Sequence, residues 1–144
     1  MPQRRRLPHE VPAWVDAGSL FFITINLEQR KSAFLIKPEI AKSLIASAGH
    51  YHATGIWWIR LLVLMPDHLH ALLAIPGEKT LPRVVSAWKS YQAKQLGVVW
   101  QSGFFDHRLR GWEALDEKAH YIRMNPVRAG LAENPEDWPY VWPP

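Results

Sequence analysis

His68 and His70 stand two apart in the stretch Leu64-Met65-Pro66-Asp67-His68-Leu69-His70-Ala71-Leu72-Leu73. In a β-strand, side chains at i and i+2 share a face. Both imidazoles therefore project together, while Leu69, Ala71, Leu73 and Ile75 project the other way. Two imidazoles on an apolar strand cost solvation unless they have partners or a role. Such a pair supplies two nitrogen ligands for a divalent cation and leaves other positions open. A cation held this way polarises a phosphoryl oxygen. The chain contains no cysteine, so thiolate ligands and a thiol nucleophile are excluded and Ser, Thr or Tyr remain. Tyr121 and Asn125 are four apart, on one helical face. The tyrosine could attack while the asparagine amide oxygen joins the metal. The same spacing suits a packed aromatic and a helix cap, and spacing alone leans to that plainer reading. Tyr91, beside Trp88, is a rival nucleophile whose position reads as core packing. Asp67 fits a turn-former ahead of a second role behind the histidines.

The elements that must position these residues are readable in order. Residues 1–18 hold Pro2, Pro8, Pro12 and Gly18 and read as an irregular arm. Leu20–Leu27, rich in aromatic and β-branched residues, predicts a strand. Pro38 starts a helix whose apolar face is Ile40, Leu44, Ile45 and Ala48. Ile56–Met65 and His68–Ile75 are the next two strands. Thr80 opens a second helix that runs to Gly97. Short strand pieces follow at 98–100 and 104–105. A third helix spans Glu113–Met124, with Ala114, Leu115, Ala119 and Ile122 as packing positions, and it ends there because the residue before Pro126 disfavours helix. Residues 132–144 read as an aromatic, proline-rich strap.

This βαββαβ order predicts one α+β domain over 1–144: a ferredoxin-like or RRM-like antiparallel sheet with helices on one face, plus a C-terminal tyrosine-bearing helix. The histidines would lie on the open face.

Composition bounds the partners. The 144 residues carry a net charge of +4 and eight tryptophans. Basic excess with aromatics is compatible with nucleic acid, although a solubility charge and core tryptophans explain the same numbers. Arg4, Arg5 and Arg6, then Arg108, Arg110, Arg123 and Arg128, are candidate phosphate contacts, and Trp57 and Trp58 alternate faces so that at most one could stack on a base. No apolar run approaches about 18 residues, and no signal peptide is legible. A cytoplasmic protein is expected.

Four motifs, in order, carry a resemblance. Pro66-Asp67-His68-Leu69-His70-Ala71-Leu72 looks like the HUH motif of single-strand DNA transposases that use one tyrosine. Trp100-Gln101-Ser102-Gly103-Phe104-Phe105-Asp106-His107-Arg108-Leu109-Arg110, Tyr121-Ile122-Arg123-Met124-Asn125-Pro126-Val127-Arg128-Ala129-Gly130-Leu131 and Asp137-Trp138-Pro139-Tyr140 resemble successive segments of the REP-associated tyrosine transposases. The resemblance implies cleavage and rejoining of single-stranded DNA beside a hairpin, a REP-like palindrome. It implies Mg²⁺ or Mn²⁺ on His68 and His70, Tyr121 as nucleophile forming a 5′-phosphotyrosine, and Asn125 where insertion-sequence relatives carry a glutamine ligand. His107 matches a recurrent position that is either behind the metal or against DNA. Members act as monomers or homodimers. Two other readings stay open on the residues: a non-catalytic RRM-like binding module, and a metal-dependent hydrolase using water.

Overall fold

Alternation along the first strand sets the two faces of the sheet. The computed structural model describes Val15, residues 20–76 and residues 79–144, apart from the side chains of 112 and 113. The expected basic arm with Arg4, Arg5 and Arg6 lies outside the described residues. The elements are β1 (Leu20–Asn26), α1 (Pro38–Ala53), β2 (Trp58–Leu64), β3 (His68–Ala74), α2 (Leu81–Leu96), β4 (Phe105–Arg108), α3 (Trp112–Arg123), α4 (Asn125–Arg128) and β5 (Val141–Trp142). The strands form one antiparallel sheet in the order β4-β1-β3-β2-β5.

On one face, Ile23, Ile25, Ile59, Leu62, Leu64, Leu69, Ala71 and Leu73 pack against Leu44 and Ala48 of α1 and Val84, Val85 and Trp88 of α2. On the other, Leu20, Trp58, Leu61, Val63, Leu72 and Ala74 meet Leu115, Ala119 and Ile122 of α3, with Trp138. The expected α+β fold is present. The face expected to be open is partly covered, because α3 turns its three buried residues onto the sheet of its own chain. An ion pair from Arg60 to Asp116, 3.4 Å, also links β2 to α3.

Both faces stay apolar because β2 slips by one residue. Pairing with β3 shifts between Ile59 and Leu61, which sets Arg60 aside and flips the alternation after it. Leu61 and Val63 thereby join Trp58 on the α3 face, while Leu62 and Leu64 join Ile59 on the other.

Trp57 and Trp58 do alternate faces, but both are buried (2% and 5% exposed), so neither offers a stacking surface. Trp57 Nε1 donates to the Ala48 carbonyl. Gly97 ends α2 in the left-handed conformation, φ 74°, as a C-terminal glycine does. Of the expected strand pieces at 98–100, only a bridge from Leu27 to Trp100 forms. The strap becomes part of the sheet. β5 pairs with β2, and Trp138 Nε1 donates to the Leu64 carbonyl at 2.8 Å.

Candidate active site

β3 places His68 and His70 side by side, ring centres 4.9 Å apart, on the α3 face. Each ring is engaged through Nδ1. Asp67 Oδ1 lies 2.8 Å from His68 Nδ1. Burial would push the Asp67 carboxyl up, but hydrogen bonds from His68 and Arg30, with the Arg30 charge, hold it below the usual range. The carboxylate is thus an acceptor, so His68 Nδ1–H donates, and a neutral ring then carries its lone pair on Nε2. Thr24 Oγ1 lies 2.9 Å from His70 Nδ1. The His70 ring also stacks on Phe22, centres 5.4 Å apart. Burial, then the charges of His68, Arg128 and Lys118, depress His70 to about 3. At neutral pH it is an uncharged ring, as a metal ligand must be.

Tyr121 lies on α3, on the same side of the sheet. Leu115, Ala119 and Ile122 turn inward, which leaves Tyr121 55% exposed. Lys118, one turn earlier, joins the two halves: its Nζ is 4.9 Å from the Phe22 ring centre and 5.3 Å from that of Tyr121. Arg128, from α4, lies 3.8 Å from the Tyr121 ring centre. Its Nη2 donates to the Tyr121 carbonyl at 2.8 Å and to Asn125 Oδ1 at 2.7 Å. Asn125 opens α4 and does not share α3 with Tyr121, and the N-cap of α4 is Met124, not Asn125; the Asn125 amide oxygen accepts from Arg128.

The donor chemistry fits a divalent cation. The two imidazoles project from one face of β3, and each ring is backed at Nδ1 by a polar partner that orients it. Among the described residues no group of three His, Cys, Asp or Glu could complete such a site. An amide, a phosphate or a water oxygen could supply further ligands. Asn125 Oδ1 qualifies if it leaves Arg128.

Other candidates fall elsewhere. Tyr91 is 55% exposed, not core as its spacing suggested, and it lines a groove between α1 and α2 with Ser47 and Tyr51. That groove is on the far face from the histidines. Arg108 lies over Phe21, 5.2 Å away, and Phe21 packs with the α1–α2 core. Arg123 borders a groove with Pro135, Glu136 and Trp138. Arg110 is exposed. His107 pairs with Phe22, and so sits at the rim of the histidine face. Among the described candidate arginines, Arg128 is the one the fold ties to Tyr121.

Thr24, Asn26 and Lys118 went unnoticed in the sequence. Asn26 is directly opposite His68, 8% exposed, with its Nδ2 donating to Gln101 Oε1 at 3.2 Å. Thr24 and Asn26 are the polar alternates of an otherwise apolar strand, and Lys118 is three residues before Tyr121. Those spacings were the available signals.

No protein-family model matches the chain. A Haemophilus influenzae protein named as a REP-associated tyrosine transposase is 27% identical, over 85% of this chain and 78% of its own length. The REP-associated tyrosine transposase of Escherichia coli K12 is 26% identical, over 85% of this chain and 75% of its own length. The chain is similar in sequence to proteins named as REP-associated tyrosine transposases. A solved REP-associated tyrosine transposase bound to a REP hairpin has the same fold, with TM-score 0.75 and 24% identity, covering 98% of this chain and 82% of that one. A Deinococcus radiodurans R1 structure assigned as a transposase matches less closely, TM-score 0.54 at 18% identity, over 85% of this chain and 95% of that one. The recognition from four ordered motifs therefore stands. Both sequence relatives are named as transposases, which sets the enzyme reading ahead of a binding module.

Proposed function

We propose that this chain is a metal-dependent endonuclease and strand transferase acting on single-stranded DNA beside a hairpin, with Tyr121 as nucleophile. One observation carries the reading: α3 packs on the sheet of its own chain, so a solvent-open tyrosine and an oriented pair of neutral-capable imidazoles share one face.

The residues divide the work as follows. His68 and His70 would hold Mg²⁺ or Mn²⁺ through Nε2, with Asn125 Oδ1 as a further donor. When bound, the cation neutralises charge on the scissile phosphate and polarises it. Asp67 and Thr24 hold the two rings in orientation. The Tyr121 oxygen attacks phosphorus, forming the tyrosyl–phosphate bond as the bond from phosphorus to the 3′ oxygen breaks. The phenolic proton leaves and the departing 3′ oxygen gains one, giving a 5′-phosphotyrosine and a free 3′-hydroxyl. A phosphoester replaces a phosphoester, so attack by a 3′-hydroxyl reverses the step without ATP. Lys118 and Arg128, beside the tyrosine ring, bring positive charge to the incoming phosphate.

The test is to incubate the protein with end-labelled hairpin-bearing single-stranded DNA and Mn²⁺. A covalent adduct is expected from the wild type, lost in Tyr121→Phe and in chelator. Cleavage without an adduct would support a water-using hydrolase, and binding without cleavage a recognition module.

A further inference from the structure

Phe105 is out of place for a residue with no partner to meet. It lies on β4, a sheet edge, and is 64% exposed. The register sets it directly opposite Thr24, and Thr24 is in turn opposite His70. Directly opposed residues share a face, so Phe105, Thr24 and His70 form one row across the sheet. Strand spacing puts Phe105 about 10 Å from His70 along that row. His107 follows on the same face, opposite Phe22. Positive charge borders the row, from Lys118 over Phe22 and from Arg128 over Tyr121. A planar apolar side chain in the open, at the end of a row that begins at the metal-ligand pair and beside cations, has the makings of a single-strand platform. Aromatics on an open sheet take a base on their face, and cations take its phosphates.

We infer that Phe105 is a base-stacking platform that receives an unpaired base neighbouring the scissile phosphate, and so fixes how the strand enters the site. This rests on the single-stranded DNA reading above. Phe105 is a positioning residue, acting on the substrate strand and not on the bond that breaks. Its side chain supports no core, so its replacement leaves the fold intact.

The test uses the full chain with single-stranded DNA carrying 2-aminopurine at successive positions around the cleavage point, in Mn²⁺. Quenching of one position is expected on binding to the wild type. Phe105→Ala should abolish that quench and weaken binding roughly 5- to 100-fold, the loss of one stacked base. Phe105→Trp should restore both, and Phe105→Leu, apolar but without a flat face, should not. Adduct formation at saturating DNA should persist in Phe105→Ala, with the defect in apparent affinity. Equal binding and quenching by wild type and Phe105→Ala would overturn the inference while leaving the tyrosine chemistry standing, as would full activity of Phe105→Leu in binding or a wild-type dimer that Phe105→Ala dissociates. Absence of any wild-type binding or adduct would overturn the functional reading and this inference with it.

Discussion

The guanidinium of Arg128 lies 3.8 Å from the ring centre of Tyr121. The same group donates to the Tyr121 carbonyl and to Asn125 Oδ1, so one side chain fixes the ring, the backbone beneath it and the nearby amide. A planar fork can stack flat on a ring while its N–H groups donate in fixed directions, and an ammonium has neither the flat face nor the fork. Arg128→Ala should lower the rate of adduct formation by about 10- to 100-fold, the scale of losing a positioning contact. Arg128→Lys should recover little of it. Single-turnover rates at saturating DNA distinguish this from weaker binding, and stability should change by less than about 0.5 kcal/mol for an exposed residue.

The groups behind the histidines predict a graded loss of metal. Asp67 accepts from His68 and Thr24 meets His70. Partners of this kind typically contribute 10- to 100-fold in metal affinity. Asp67→Asn and Thr24→Val should each weaken Mn²⁺ binding by about that factor, read by titration calorimetry without DNA. Unchanged affinity in both variants would mean that the pair holds no metal through Nε2.

Acid should destabilise the protein through His70. Its folded pKa is depressed to about 3, against about 6.5 in the unfolded chain. Between those values the unfolded state binds the extra proton, so stability rises with pH there. The contribution is complete above pH 6.5 and is lost as pH falls toward 3. The slope from this group is at most about 1.4 kcal/mol per pH unit. Urea unfolding at pH 7 and pH 4.5 should show a larger drop for wild type than for His70→Gln, a comparison that cancels the common carboxylate titration.

Docking of α3 predicts a separable loss of catalysis. Leu115 is 2% exposed and packs on the sheet. Leu115→Ala should cost about 2–5 kcal/mol, as buried leucine deletions do. Amide exchange should rise more in α3 than in β1 and β3, and adduct yield should fall even with Tyr121 present.

Much of the fold was legible before any coordinates. β1, α1, α2 and α3 fall within a few residues of their predicted spans because their apolar periods and their Pro or Gly boundaries are local signals. Leu69, Ala71 and Leu73 do turn away from His68 and His70, as alternation alone required. β2 was harder. Its long run, apolar on both sides of Arg60, hid the slip there, since the residues flanking the slip suit either face. Tyr91 was misjudged because a helical period does not say how far toward solvent the edge of a face lies.

The sequence by itself determined that two histidines share a strand face, that the helix carrying Tyr121 stops just before Asn125, and which family their order resembles. These follow from a spacing of two within one strand and from the effect of Pro126 on the residue before it. Only the tertiary structure decided that α3 folds back over the histidine face, that Thr24 and Asn26 flank the pair, that Lys118 bridges Phe22 to Tyr121, and that Arg128 holds Asn125. Those contacts join residues far apart in the chain, and they depend on strand register and helix docking. Both are settled by burying two apolar faces at once, which no local pattern encodes.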